Sequence, residues 1–145
     1  MANMDPLTII TGVGGLLSLT LQITQILTKY TSSILDAPLL AKEVARENCT
    51  LSSILQQLHE LLLQDAHEAS GTAFDLDGLQ RVLESCVEIV SQLDEQVTGL
   101  KQFEDGTQIR QRLKWACEES TITRILRNLQ HQKLSLSVLL NLYVA

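Results

Sequence analysis

Three histidines, three cysteines and one glycine cluster are the residues of this 145-residue chain whose types could do chemistry. A metal centre or a nucleophile–base pair needs such groups brought together at short, defined spacings. His59, His67 and His131 stand apart from one another and from every cysteine by motif spacing. His59 falls off the core arc of its helix, the position of a solvated imidazole and not of a ligand. Cys49, Cys86 and Cys117 are odd in number, widely spaced and each set inside a helical pattern. They read as reduced, partly buried thiols of a cytosolic protein and not as a disulfide framework. The GVGG run from Gly12 to Gly15 has the glycine density of a phosphate loop. It lacks both a preceding strand and a following Gly-Lys-Ser/Thr, so it reads as a tight helix-packing spot. Glu88, Asp94 and Glu95 make a solvated acidic face. Glu47 falls on the apolar arc of its helix and is expected to form a structural ion pair with a basic residue across the fold. No nucleophile–base arrangement is visible. The expectation is a protein that is not an enzyme, with no catalytic residue, cofactor or metal.

The elements that carry these residues are helical. Hydrophobic residues make up 45% of the chain, mostly Leu, Ile and Val, which argues against wholesale disorder. Two prolines and seven glycines leave little turn material for a many-stranded β fold. The length is that of one domain, 1–145. The first helix is expected to open with Asp5 as N-cap and Pro6 at the first helical position, and to fade within YTSSILDAP. A second helix over about 38–66 places Leu40, Val44, Leu51, Ile54, Leu55, Leu58, Leu61 and Leu62 on one arc. A third, over about 75–101, carries Leu76, Leu79, Val82, Leu83, Cys86, Ile89, Val90, Leu93, Val97 and Leu100. A short helix over about 108–118 follows, and Ser120 is a candidate N-cap for a last helix bearing Ile122, Ile125, Leu126, Leu129, Leu136, Leu140 and Tyr143. Short loops favour antiparallel neighbours, so the expected fold is an all-α antiparallel bundle of four long helices plus one short one, with the hydrophobic N-terminal helix in the core.

Charge is unevenly spread. Residues 1–100 hold 4 Lys/Arg against 13 Asp/Glu, and residues 101–145 hold 7 against 4. A net charge of −6 argues against a nucleic-acid binder. The basic tail end, with Arg110, Arg112, Lys114, Arg124 and Arg127, fits either a face for anionic lipid or an acidic partner, or a solvated surface beside acidic neighbours.

The first helix is the most unusual segment. From Pro6 to Thr28 it runs 23 residues without a charge, about the length of a bilayer span. It does not read as a signal peptide, because MANMDP lacks a positive leader region. On a wheel, Thr11, Gly15, Ser18, Gln22 and Gln25 form one narrow neutral stripe. Opposite lie Ile9, Val13, Leu16, Leu17, Ile23 and Leu27. Eleven Ile, Leu and Val residues favour insertion by about 3–7 kcal/mol in all. Two glutamines, six Ser/Thr and three glycines oppose it by a comparable amount. A lone span is marginal, while several copies could shield their stripes together, with Gly14 and Ser18 as a small-xxx-small contact. Two readings stay open, a permanent core helix and a core helix that can also enter a bilayer. A permanent anchor is disfavoured, because the other apolar stripes need a partner.

Three segments carry a family resemblance. The opening MDPLTIITGVGGLLSLTLQITQIL resembles the start of the fungal N-terminal domain found on STAND (NLR-like) receptors. DAPLLAKEVARENCTLSSILQQLHELL is similar to that family's second helix, and RLKWACEESTITRILRNLQHQKLSLSVLLNL to its ending. The family often has a lysine-rich break after the position of Trp115, where this chain has Glu118 and Glu119. The resemblance places the chain among HeLo-like domains, similar in kind to the HET-S HeLo domain and to the four-helix-bundle killer domains of mixed-lineage-kinase-like pseudokinases. It implies a cell-death effector of fungal incompatibility and innate immunity, cytoplasmic at rest and at the plasma membrane on activation. Its implied partners are further copies of itself, anionic lipids, and an upstream NLR-like receptor or amyloid-signalling segment. The inserting residues would be Ile9, Ile10, Val13, Leu16, Leu17, Leu21, Ile23 and Leu27. The rival expectation is a helical signalling or scaffolding module for homotypic or receptor contacts without membrane activity.

Overall fold

The computed structural model describes residues 6–33, 39–67, 76–101 and 119–144, and all of them are α-helical. Helix α1 spans Pro6–Ser33, α2 Leu39–His67, α3 Leu76–Lys101 and α4 Glu119–Val144. Three helices therefore match the periodicity to within a residue or two, the usual uncertainty of a helix end. Pro6 is the first helical residue of α1, as its fixed φ favours. The last helix starts two residues earlier than expected: Glu119 is its first residue, so Ser120 is inside the helix and not its cap. A carboxylate there complements the helix dipole. Asp5 and the expected short helix over 108–118 lie outside the described residues.

The four helices form an all-α bundle with one shared core. Helix α1 packs on α2 and α3, and α4 packs on the same two, so α1 and α4 occupy opposite corners. Each helix supplies one arc: Ile9, Val13, Ile23 and Leu27 from α1, Val44, Leu51, Leu55 and Leu58 from α2, Leu79, Val90 and Leu93 from α3, and Ile122, Ile125 and Leu129 from α4. Placing α1 in the core is thus right for one of its faces only. Each corner helix has two main neighbours, and the rest of its circumference meets solvent.

The α1–α2 seam is the most extensive of the four, and it contains the core's polar cluster. Asn48 of α2 is fully buried, as is Thr20 of α1. The Asn48 side-chain amide donates two hydrogen bonds across the seam, to the Thr20 carbonyl and to Thr24 Oγ1, each at 2.8 Å. Ser52 Oγ in turn donates to the Asn48 carbonyl at 3.0 Å. Six residues before Thr20 on α1, Gly14 lies against the ring of His59 on α2. Asn48 Oδ1 meets no donor among the described residues, a shortfall worth about 1–3 kcal/mol. The residue consequently fixes rotation and register more than it adds stability.

Substitution separates those two contributions. Asn48→Leu keeps the branching and heavy-atom count and removes the orphaned acceptor, so its thermal midpoint is expected at or above that of the wild type. Asn48→Asp places an unpaired charge beside the Thr20 carbonyl and is expected to cost about 3 kcal/mol at neutral pH. Part of that loss returns as the pH falls and the carboxyl protonates. Thermal melts of both variants at pH 7 and at pH 4 decide it; an Asn48→Leu variant far less stable than wild type counts against a register role.

Candidate functional site

The rotation set by Asn48 decides which residues of α1 face water. Ile9, Ile10, Val13, Leu16, Ile23 and Leu27 are buried, and Leu17 is partly buried against the core. Leu21, from the same expected inserting set, stands 46% exposed. The whole neutral stripe is outside: Thr11, Gly15, Ser18, Gln22 and Gln25 are all exposed. Leu7 and Gly12 join them. The solvent face of α1 therefore carries no charge from Leu7 to Thr28, a rise of about 32 Å. An ordinary amphipathic helix places charged side chains on that face. The buried polar residues of α1 are instead Thr20 and, in part, Thr24, which sequence spacing alone did not put together with Asn48.

Hydroxyl groups of α1 are largely satisfied within α1 itself. Thr11 Oγ1 donates to the Leu7 carbonyl at 3.0 Å, Thr20 Oγ1 to Leu17 at 2.8 Å and Thr24 Oγ1 to Thr20 at 2.8 Å. Thr31 and Ser32 do the same at 3.3 Å. Such back-bonding travels with the helix into any environment. The amides of Gln22 and Gln25 have no such local partner, and they hold most of the polar cost of desolvating this helix.

The glycines divide by environment. A Cβ on Gly14 would lie 3.3 Å from His59 Nε2, a tight approach, whereas Gly12 and Gly15 have open space around the same position. The packing spot expected of GVGG is thus Gly14 alone. His59 is half-buried over it and His131 is exposed. Gly12 opens an apolar cleft of about 210 Å³ between α1 and α3, lined by Ile9, Leu16, Leu83 and Val87, with Glu84 on its lip.

The expected ion pair is present: Lys133 Nζ of α4 lies 2.8 Å from Glu47 Oε2 of α2. That oxygen makes no well-directed hydrogen bond, so the contact is mainly Coulombic. Arg124 and Arg127 are exposed on α4; Arg110, Arg112 and Lys114 lie outside the described residues. Leu134, Val138 and Leu142 are exposed by 62%, 56% and 71%. At 100° per residue these three and the two arginines share an arc of about 80°. Spacing of four residues between the leucines and the valine was readable in the sequence as a second apolar stripe, off the core arc of α4. Cys86 is buried, and burial pushes its thiol up to about 12, so at neutral pH it is a protonated, inert group against Gln132. Cys49 is exposed. Among the described residues no group of His, Cys, Asp and Glu could hold a metal ion.

Two of the three glycines are expected to act as pure helix-propensity losses. Gly12→Ala and Gly15→Ala should each raise stability by about 0.5–1 kcal/mol in chemical denaturation. Gly14→Ala should gain less or nothing, because His59 must move. Equal gains at all three positions would show that His59 does not hold α1.

No family model, curated protein or solved structure matches the chain.

Proposed function

We propose that the chain is a non-enzymatic effector domain of HeLo-like type, which assembles with copies of itself and permeabilises anionic membranes through α1. The observation that carries this reading is the charge-free solvent face of α1. Among the described residues α1 is the one helix long and apolar enough to cross a bilayer, over Leu7–Ser32. A core helix normally loses that capacity through charges on its wet face, and α1 has none there before Lys29. Turned over in lipid, the buried arc of Ile9, Val13, Leu16, Ile23 and Leu27 would meet acyl chains. The stripe from Thr11 to Gln25 would face neighbouring copies, where small residues allow close approach. The threonine hydroxyls would bring their hydrogen bonds with them. Resting protein is cytoplasmic and active protein is at the plasma membrane. Arg124 and Arg127, with Arg110, Arg112 and Lys114, would meet anionic headgroups, and an NLR-like receptor or amyloid-signalling segment would supply the trigger. An antiparallel course for all four helices and a short fifth helix over 108–118 belong to the same reading.

A scaffolding module without membrane activity is the second reading. The exposed ridge Leu134, Val138 and Leu142 favours it, since such a surface fits a protein partner as well.

Dye release from anionic liposomes by the chemically cross-linked chain is the experiment. Leakage is expected, and Gln22→Glu should reduce it about tenfold while leaving the melting midpoint near wild type, because Gln22 is exposed in the bundle. Cross-linked assemblies that leave liposomes intact would sink the membrane reading and leave the scaffold.

A further inference from the structure

Two surfaces of the bundle fit each other and cannot meet within one molecule. On α4, Leu134, Val138 and Leu142 stand out as a ridge at i, i+4, i+8 spacing, about 12 Å long. Between α1 and α3, Ile9, Gly12, Leu16, Leu83 and Val87 line the 210 Å³ cleft, roomier than the ~150 Å³ cavity that accepts a benzene ring. α1 and α4 occupy opposite corners, so a molecule's own ridge faces away from its own cleft.

We propose that the α4 ridge of one copy docks into the α1–α3 cleft of the next, a head-to-tail contact between copies of this chain. Charge selects this occupant. Arg124 and Arg127 share the ridge's face and have no carboxylate partner among the described residues. The outer face of α3 beside the cleft is acidic: Asp77, toward its N-terminal end, and Glu84, Glu88 and Glu95, running toward its C-terminal end, are all exposed within an arc of about 40°, and Arg81 is the one cation among the α3 side chains described. Whichever way the ridge lies, its arginines approach a carboxylate. The α1 wall of the cleft is uncharged and opposes nothing. For the resting chain an anionic membrane is the poorer occupant of this ridge, because two arginines on a chain of net charge −6 bring a repelled body with them; headgroups are left to the arginines of a ridge that stays undocked in the active state. Gly12 has a place in this arrangement. Its missing side chain keeps the cleft open at a helix position where none of the described residues occupies the space.

The contact uses two different patches, so each copy keeps one free ridge and one free cleft. Such an interface is heterologous and grows into a ring or a filament. It supplies the assembly step of the membrane-acting reading and rests on that reading only for its biological purpose.

Sedimentation equilibrium of the full chain without lipid tests it. The mass of the wild type is expected to rise with concentration, with a dissociation constant on the order of 100 μM, and to fall back as salt is added. Val138→Glu spoils the ridge and Gly12→Leu fills the cleft. Both sites are exposed, and melting curves check that each variant is folded. Each alone should associate at least about tenfold more weakly, while an equimolar mixture should give a one-to-one dimer that grows no further, since each variant retains the patch the other has lost. A wild type that stays monomeric at millimolar concentration overturns the proposal, as does a mixture that stays monomeric. Unimpaired assembly of Gly12→Leu overturns it in favour of a symmetric ridge-to-ridge contact. Binding of the wild type to anionic vesicles that is lost in Arg127→Glu, without self-association, overturns it in favour of a lipid occupant. Assembly that proceeds as described but yields no dye release refutes the membrane reading alone.

Discussion

The bundle turns on a single buried amide. Asn48 reaches from α2 into α1 and bonds the Thr20 carbonyl and the Thr24 hydroxyl. An apolar seam tolerates small rotations and slides, because leucines repack with modest loss. A buried amide does not, since a shift of one residue leaves its donors without acceptors in a medium that cannot solvate them. With Thr20 and Thr24 held inward, the helical period puts Thr11, Gly15, Ser18, Gln22 and Gln25 outward. The neutral solvent face of α1 is thus a consequence of a side chain on another helix.

That dependence explains what could and could not be read from the residues. The amphipathic arcs of α2, α3 and α4 are strong periodic signals, and they recur in the structure almost residue for residue. The pairing of Glu47 was legible too, because a carboxylate on an apolar arc needs a cation within reach, and Lys133 supplies it. The apolar arc of α1 was legible, since Ile9, Val13, Leu16, Ile23 and Leu27 are the residues it buries and the neutral stripe opposite is exposed. The helix that keys it, and the register, were not legible, because the stripe has no charge to mark a partner. One signal was there to use. The core arc of α2 runs through Val44 and Leu51, and the intervening position on that arc is Asn48. A lone amide in such a gap requires polar partners on the facing helix, and Thr20 and Thr24 are the residues of α1 that offer them. The ridge on α4 was hidden for a different reason, because the strong core arc of that helix masks a second arc, Leu134, Val138 and Leu142, that is exposed among the described residues.

The energetics of α1 follow from the same geometry. Its threonines satisfy themselves along the helix, so the polar groups that resist desolvation are mainly Gln22 and Gln25. Detaching α1 from α2 exposes a broad apolar face and strands Asn48, whose oxygen already lacks a donor among the described residues. The barrier to release is therefore mostly hydrophobic, with the polar clamp adding specificity more than strength. A barrier of that kind falls when another apolar surface, protein or lipid, becomes available to the exposed face.

The two sides of α1 are unequally held. Toward α2 the seam is extensive, keyed by Asn48 and closed at Gly14 by His59. Toward α3 it is narrower and interrupted by the cleft at Gly12. A wedge that enters this cleft touches α1 on its less tightly held side and leaves the keyed seam intact. Filling the cleft adds contacts to the bundle as it stands, so docking of a second copy stabilises the closed arrangement by mass action. Assembly through the ridge alone would consequently oppose the departure of α1. For the same chain to assemble and then release α1, the α1–α2 seam has to be broken by something other than that docking. In this fold, gathering the copies and freeing the helix are separate steps, each with its own surface.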